Sequence, residues 1–240
     1  MVGIIAEFST YYWVLTVLNA VSGGPSAWSA IASFALYLAM KIANNYRIPL
    51  LSITVKSASG SVFDFIEWEN NSALIRVRLS SGGGLRLSIS LCTLVFAGTA
   101  ALSLAGNPPG GLDLSKLPLL LAILSISALF YSSNSAYIKT MGVTVPVVSS
   151  VAYATLVNLA IWLLLGERYL YAASVLMNFT AVVLGCDILT IKWAVLSNTK
   201  SLVIGGLGLY DAVVLVPAVS YLASSIIVVS MKSVLPNLLP

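Results

Sequence analysis

The chain has 240 residues, of which 59% are hydrophobic and 8% charged, against about 25% charged in an average soluble domain. It contains no histidine, which removes the commonest general base and the commonest metal ligand together, so serine–histidine triads and haem or zinc sites lack their key residue. A net charge of +4 is too small and too dispersed for nucleic acid and instead reports orientation in a bilayer. The lipid bilayer is the expected partner, and no cofactor or metal is expected.

The first apolar run, about Gly3 to Val21, carries Tyr11, Tyr12 and Trp13, read as an interfacial aromatic belt, and is broken by Ser22-Gly23-Gly24-Pro25. It has no basic leader and contains Glu7, so it is expected to be a retained span and not a cleaved signal. A second span follows over Ala27 to Ile42. From Asn44 to Ser90 apolar and polar residues alternate, as in Ile75-Arg76-Val77-Arg78-Leu79 and Leu85-Arg86-Leu87-Ser88. That period predicts strands at about Leu50 to Val55, Val62 to Glu69, Ala73 to Ser80 and Leu85 to Ser90, with turns at Asn70-Asn71 and Ser81 to Gly84. Residues 44–90 are therefore expected to form a cytoplasmic β-rich insertion within a single polytopic domain, 1–240.

Helical spans resume at Leu91 to Leu104 and Leu117 to Tyr131, separated by Asn107-Pro108-Pro109-Gly110-Gly111. After the polar patch Ser132 to Lys139 come Thr144 to Gly166, with Pro146 in its first turn, then Arg168 to Ile191, and Leu202 to Val229 with a kink at Pro217. The expected fold class is an all-α membrane protein with about seven transmembrane helices and a small extramembrane β element. Lys41, Arg47, Lys56, Arg76, Arg78, Arg86, Lys139, Lys192 and Lys200 fall on one side of such an arrangement, and Lys116, Arg168 and Lys232 on the other. The positive-inside rule then places the sheet and the loop between spans six and seven in the cytoplasm of a multi-pass cell-membrane protein. Both termini are expected outside, and Asp211 two to three turns into span seven.

Two acids stand out, Asp187 in Leu184-Gly185-Cys186-Asp187 and Asp211 in Gly205-Gly206-Leu207-Gly208-Leu209-Tyr210-Asp211. An acid inside a membrane helix costs roughly 2.5–3.5 kcal/mol on insertion scales and usually faces the protein interior. Two close carboxyls can share one proton and activate a water on a carbonyl, with Gly185, Gly205, Gly206, Gly208 and Tyr210 shaping the site. Such a site would take a transmembrane or extended peptide, the latter by strand addition to the sheet. The pattern also suits coupling of a proton or cation, or a structural role in which Asp187 meets interfacial water or Lys192 and Asp211 caps a broken helix. Asp64, Glu67 and Glu69 are read as a solvated strand face, Arg76, Arg78 and Arg86 as a polar strand face or lipid-headgroup contact, and Glu167-Arg168 as a turn. Cys92 and Cys186 are read as small buried side chains.

On Gly185-Cys186-Asp187-Ile188-Leu189 and Gly205 to Asp211 the chain resembles an uncharacterised archaeal and bacterial membrane family, domain of unknown function 1614. Its hallmarks are G-A-D-L-L and G-G-A-G-x-F-D, so Cys186, Leu207 and Tyr210 are departures. Ile48-Pro49-Leu50 and Gly142 to Pro146 are similar to further family segments, whereas Ser90-Leu91-Cys92-Thr93 stands where N-V-G-G belongs. A more distant likeness ties Gly208-Leu209-Tyr210-Asp211 to the Y-D and G-x-G-D motifs of intramembrane aspartyl proteases such as presenilin, signal peptide peptidase and the prepilin peptidases. That likeness implies catalytic roles for Asp187 and Asp211. Against it, Tyr210 replaces a glycine, and Pro217-Ala218-Val219, which resembles P-A-L, lies on the same span as Asp211.

Overall fold

The computed structural model describes residues 2–21, 25–45, 54–55, 63–69, 72–78, 86–105, 114–138, 142–190, 201–204 and 211–234. Among them are seven α-helices: α1 (Val2–Val21), α2 (Ala27–Asn45), α3 (Leu91–Ala105), α4 (Leu117–Asn134), α5 (Val147–Leu165), α6 (Glu167–Val182) and α7 (Ala212–Val234). A π turn, Val183–Ile188, prolongs α6. The strands are β1 (Thr54–Val55), β2 (Phe63–Glu69), β3 (Ser72–Arg78), β4 (Arg86–Ser90), β5 (Ala136–Ile138), β6 (Gly142–Thr144) and β7 (Ser201–Ile204).

Local chemistry explains most of these boundaries. Pro146, at φ −69°, leads into α5 with the fixed dihedral a helix start needs. Gly166, at φ +93°, separates α5 from α6 in a conformation that only a residue without a β-carbon adopts cheaply. Ser90 Oγ accepts the Thr93 N–H at 3.2 Å and so caps α3 where β4 runs into it. This is the segment that departs from the family pattern.

Helices α4, α5 and α7 are long and apolar enough to cross a membrane, and α2 and α6 contain the shorter apolar stretches Ala27–Ile42 and Ala173–Ile188. Their outward faces carry Ile126, Leu129, Val148, Leu156, Leu164 and Val229, all exposed. Lipid tails are the medium that suits such a surface. The helical character and the apolar helices are those of a membrane protein.

Helix α7 is the most buried of the three long helices and packs against α1, α5 and α6. Its Val214, Ala218 and Tyr221 join Trp13, Val14, Val17, Met40, Phe96 and Val175 in one core cluster. Trp13 corrects the interfacial-belt expectation: it is fully buried, donates its indole N–H to Thr99 Oγ1 at 3.2 Å and meets Tyr221 edge-on at 5.1 Å. It lies mid-helix, where no headgroup reaches, so a protein hydroxyl satisfies the indole.

A second buried layer is polar. Asn178 Nδ2 on α6 donates to Asn158 Oδ1 on α5 at 2.7 Å, and Asn158 Nδ2 donates to Ser224 Oγ at 3.2 Å and Ser220 Oγ at 3.5 Å on α7. The serine hydroxyls donate onward to the carbonyls of Pro217 and Tyr221. The chain of donors ties three helices in one rotational setting, because turning any of them would strand an amide in hydrocarbon.

The five-stranded sheet has the order β1-β2-β3-β4-β7. The first four strands match the alternation read from 44–90, but β7 comes from 201–204 and pairs in parallel with β4, Arg86 opposite Ser201 and Ile89 opposite Ile204. This overturns a seventh span beginning at Leu202: Ser201–Ile204 is drawn into the sheet, and the helix begins ten residues later at Ala212. The run Ser201-Leu202-Val203-Ile204 suits strand and helix alike by hydrophobicity, and β4's free edge decides it. The patch Ser132 to Lys139 also hides structure, since β5 and β6 form an antiparallel hairpin.

Lys41, near the end of α2, bonds Glu7, near the start of α1, at 2.8 Å. At the opposite ends of the bundle Lys232 on α7 pairs with Glu167 at the start of α6. The Lys41–Glu7 pair thus brings the start of α1 and the end of α2 to one side of the bundle.

The polar tie gives a first prediction. Asn158→Ala lowers stability in detergent by about 0.6–2 kcal/mol, the range for hydrogen bonds between membrane helices; an unshifted thermal unfolding curve would show that the tie contributes nothing.

Candidate functional site

Asp187 sits in the π turn that ends α6, where Leu189 N–H reaches back five residues to Leu184 O at 2.8 Å. Thr190 Oγ1 donates to the carbonyl of Cys186 within the same turn. The wide turn is a local departure from α geometry of the kind found at functional positions, and a carboxylate at a helix C-terminus opposes the macrodipole. Neither propensity nor capping therefore accounts for an acid here. Asp187 is 7% exposed, and its Oδ2 is buried without a hydrogen-bond partner among the described residues.

Gly185 fixes where this turn lies. A β-carbon on it would stand 2.5 Å from Ala128 O, 2.7 Å from Tyr131 Cβ and 3.1 Å from Ser132 N, so the turn rests directly on α4. Only glycine permits that approach.

Asp211 lies immediately before α7 and acts as its N-cap. Val213 N–H donates to Asp211 Oδ1 at 3.1 Å, and the Asp211 carbonyl accepts from Val214 at 3.0 Å and Leu215 at 2.7 Å. The expectation that Asp211 lies two to three turns inside span seven is thereby corrected, and the capping role weighed for it is the observed one. Asp211 is half-buried. It lies within electrostatic range of Asp187, and both carboxyls bear on the buried Cys186 thiol. The acids are thus neighbours, one on the last turn of α6 and one at the first of α7. Gly205, Gly206, Gly208 and Tyr210 lie outside the described residues, as do Lys192 and the side chains of Cys92, Asp64, Glu67, Glu69, Arg76, Arg78 and Arg86.

The surroundings come from helices that sequence reasoning treated as plain spans. Cys186 shares a buried cluster with Tyr131, Ala154, Val182, Val213, Val216 and Ile204 of β7, flanked by Ile89, Val143 and Val145. The ends of β4, β7 and the hairpin thus close on the acid-bearing turn. Tyr131 Oη points to Ser150 O at 3.5 Å, Ser127 Oγ lies 3.2 Å from Tyr153 Oη, and Phe130 stacks on Tyr153 at 3.8 Å. A usable signal existed in Ser127 and Tyr131, four residues apart on one face of α4. Among the described residues no three Cys, Asp or Glu side chains gather as metal ligands.

Fold and site define a helical protein with membrane-length helices, a small mixed sheet and an acidic pair where two helix ends meet. The model of the family described as "Protein of unknown function (DUF1614)" matches residues 42–223, and the chain belongs to that family. No curated protein and no solved structure matches it.

The α4–α6 contact predicts that Gly185→Ala destabilises the protein by about 1–3 kcal/mol through overpacking. Gly98→Ala on α3, where a β-carbon meets nothing within 4 Å, is the control and stays neutral or gains up to about 1 kcal/mol. Equal melting temperatures for the two variants would remove the close-packing role of Gly185.

Proposed function

We propose that the protein is an intramembrane aspartyl hydrolase, Asp187 and Asp211 acting together on a water. The observation that carries this is the buried Asp187 Oδ2, without a hydrogen-bond partner among the described residues, with Asp211 in electrostatic range. In the reaction one carboxylate takes a proton from the water as its oxygen bonds to the peptide carbon, and the other, protonated, donates to the carbonyl oxygen. Collapse of the tetrahedral intermediate breaks the C–N bond, and the amine leaves with the transferred proton. The substrate class is a transmembrane or extended peptide. Strand β7 ends the sheet order beside β4 and precedes Asp211 in the chain, so a peptide added to its outer edge would be led toward the acids.

In this reading all seven helices cross the cell membrane. The excess of Lys and Arg on the sheet side puts the sheet, both acids and the N-terminus in the cytoplasm and the C-terminus outside. A proton- or cation-coupled carrier uses the same buried acid and is the second reading, favoured by the same Oδ2. A scaffold in which the acids only hold helices together is the third.

Asp187→Asn and Asp211→Asn, each close in shape to the parent, separate these readings. A hydrolase loses 10²-fold or more of its cleavage of a membrane-peptide library in either variant, while its unfolding curve is kept. A carrier loses uptake in liposomes with no cleavage in the parent, and a scaffold loses stability alone. Cleavage that survives both substitutions rules the hydrolase out.

A further inference from the structure

The outer face of α1 and α2 holds a groove of about 430 Å³ lined by Ile4, Glu7, Phe8, Tyr11, Phe34 and Tyr37. It lies at the periphery of the bundle, apart from the acidic pair on α6 and α7. Its walls are apolar and open: Ile4, Phe8 and Phe34 are all more than half exposed. One end is polar. Glu7 Oε2 accepts from Tyr37 Oη and from Lys41 Nζ, each at 2.8 Å, and the side chains of Lys41 and Glu7 keep 38% and 26% exposure.

The polar and apolar ends fall at different depths. Glu7 is five residues into α1 and Lys41 four from the end of α2, about 6–8 Å from the helix ends at 1.5 Å per residue. Tyr11 and Phe34 lie about 6 and 10 Å deeper on the same scale. The groove therefore runs from a carboxylate–ammonium pair near the helix ends to an aromatic trough nearer mid-helix.

We propose that this groove is a binding site for one membrane phospholipid with a zwitterionic head bearing a primary ammonium, of the phosphoethanolamine type. The lipid's ammonium donates to Glu7, its phosphate accepts from Lys41, and an acyl chain lies along Phe8, Tyr11 and Phe34. Charge complementarity selects this head. An anionic head without an amine brings its charge against Glu7, and a quaternary amine has no N–H to give a carboxylate. The volume, within the roughly 300–1,000 Å³ of small-molecule clefts, suits part of one lipid and not a protein partner. Tyr37, bonded to Glu7 and edge-on to Tyr11 at 5.9 Å, holds the carboxylate at the mouth.

Native mass spectrometry of the full chain in detergent tests this, with an equimolar mixture of ethanolamine, choline and glycerol phospholipids carrying identical chains. One ethanolamine lipid per chain is retained at roughly tenfold excess over the choline lipid, as the loss of a charge-assisted hydrogen bond implies. Glu7→Gln brings the two to parity, Lys41→Met lowers all three, and Phe8→Ala with Phe34→Ala lowers retention without changing the headgroup order. Equal retention of ethanolamine and choline lipids by the unmodified protein overturns the proposal with no variant needed. A headgroup preference that survives Glu7→Gln does so too, as does a dimer cross-linked through Phe34 that excludes lipid.

Discussion

Helix α6 meets α4 at Gly185 with no room for a β-carbon, and the placement of Asp187 follows from that contact. The next backbone atoms lie 2.5 to 3.1 Å from where a side chain would begin, so the turn cannot shift outward without opening a void or inward at all. The chain answers by widening into a π turn over Val183–Ile188, which moves Asp187 out of the register an α-helix would impose. The buried acid, the cluster around Cys186 and the meeting with α7 all lie at this place, where two helices touch at backbone distance.

Hydrocarbon magnifies every polar group left inside such a bundle, and the protein treats its polar groups in two ways. Asn178, Asn158, Ser220 and Ser224 pass donors from one helix to the next until backbone carbonyls end the chain. Trp13 finds Thr99 in the same manner. Asp187 Oδ2 is handled otherwise: it is enclosed with no hydrogen-bond partner among the described residues, although serine and tyrosine hydroxyls lie on the neighbouring helices α4 and α5. The Ser9 and Ser150 hydroxyls and Asn178 Oδ1 are likewise buried without a hydrogen-bond partner among the described residues, so what sets Asp187 apart is that its group is an acid, whose charged form is the costliest to enclose.

Much of the architecture was legible along the chain. Alternation over 73–80 and 85–90 and apolar runs over 117–131 and 144–166 are periodicities that one element shows by itself, and the observed elements follow them to within a few residues. Both acids could be singled out because charge in an apolar run is conspicuous without coordinates. Trp13 could not be placed, since an indole suits a headgroup and a buried hydroxyl equally well. Ser201–Ile204 could not be assigned either: four apolar-rich residues form helix or strand according to what lies beside them, and here β4 offers a parallel edge.

Sequence by itself determined the solvent and the elements, because hydropathy and period are local properties that no packing partner can reverse over twenty residues. It also singled out two acids set in apolar runs of the chain. Tertiary structure alone decided that α7 starts at Ala212 with Asp211 as its cap, that β7 closes the sheet, and that α4 supplies the surface on which the Asp187 turn rests. Those outcomes depend on pairs of segments far apart in the chain meeting at van der Waals distance, and neither segment carries the other's shape.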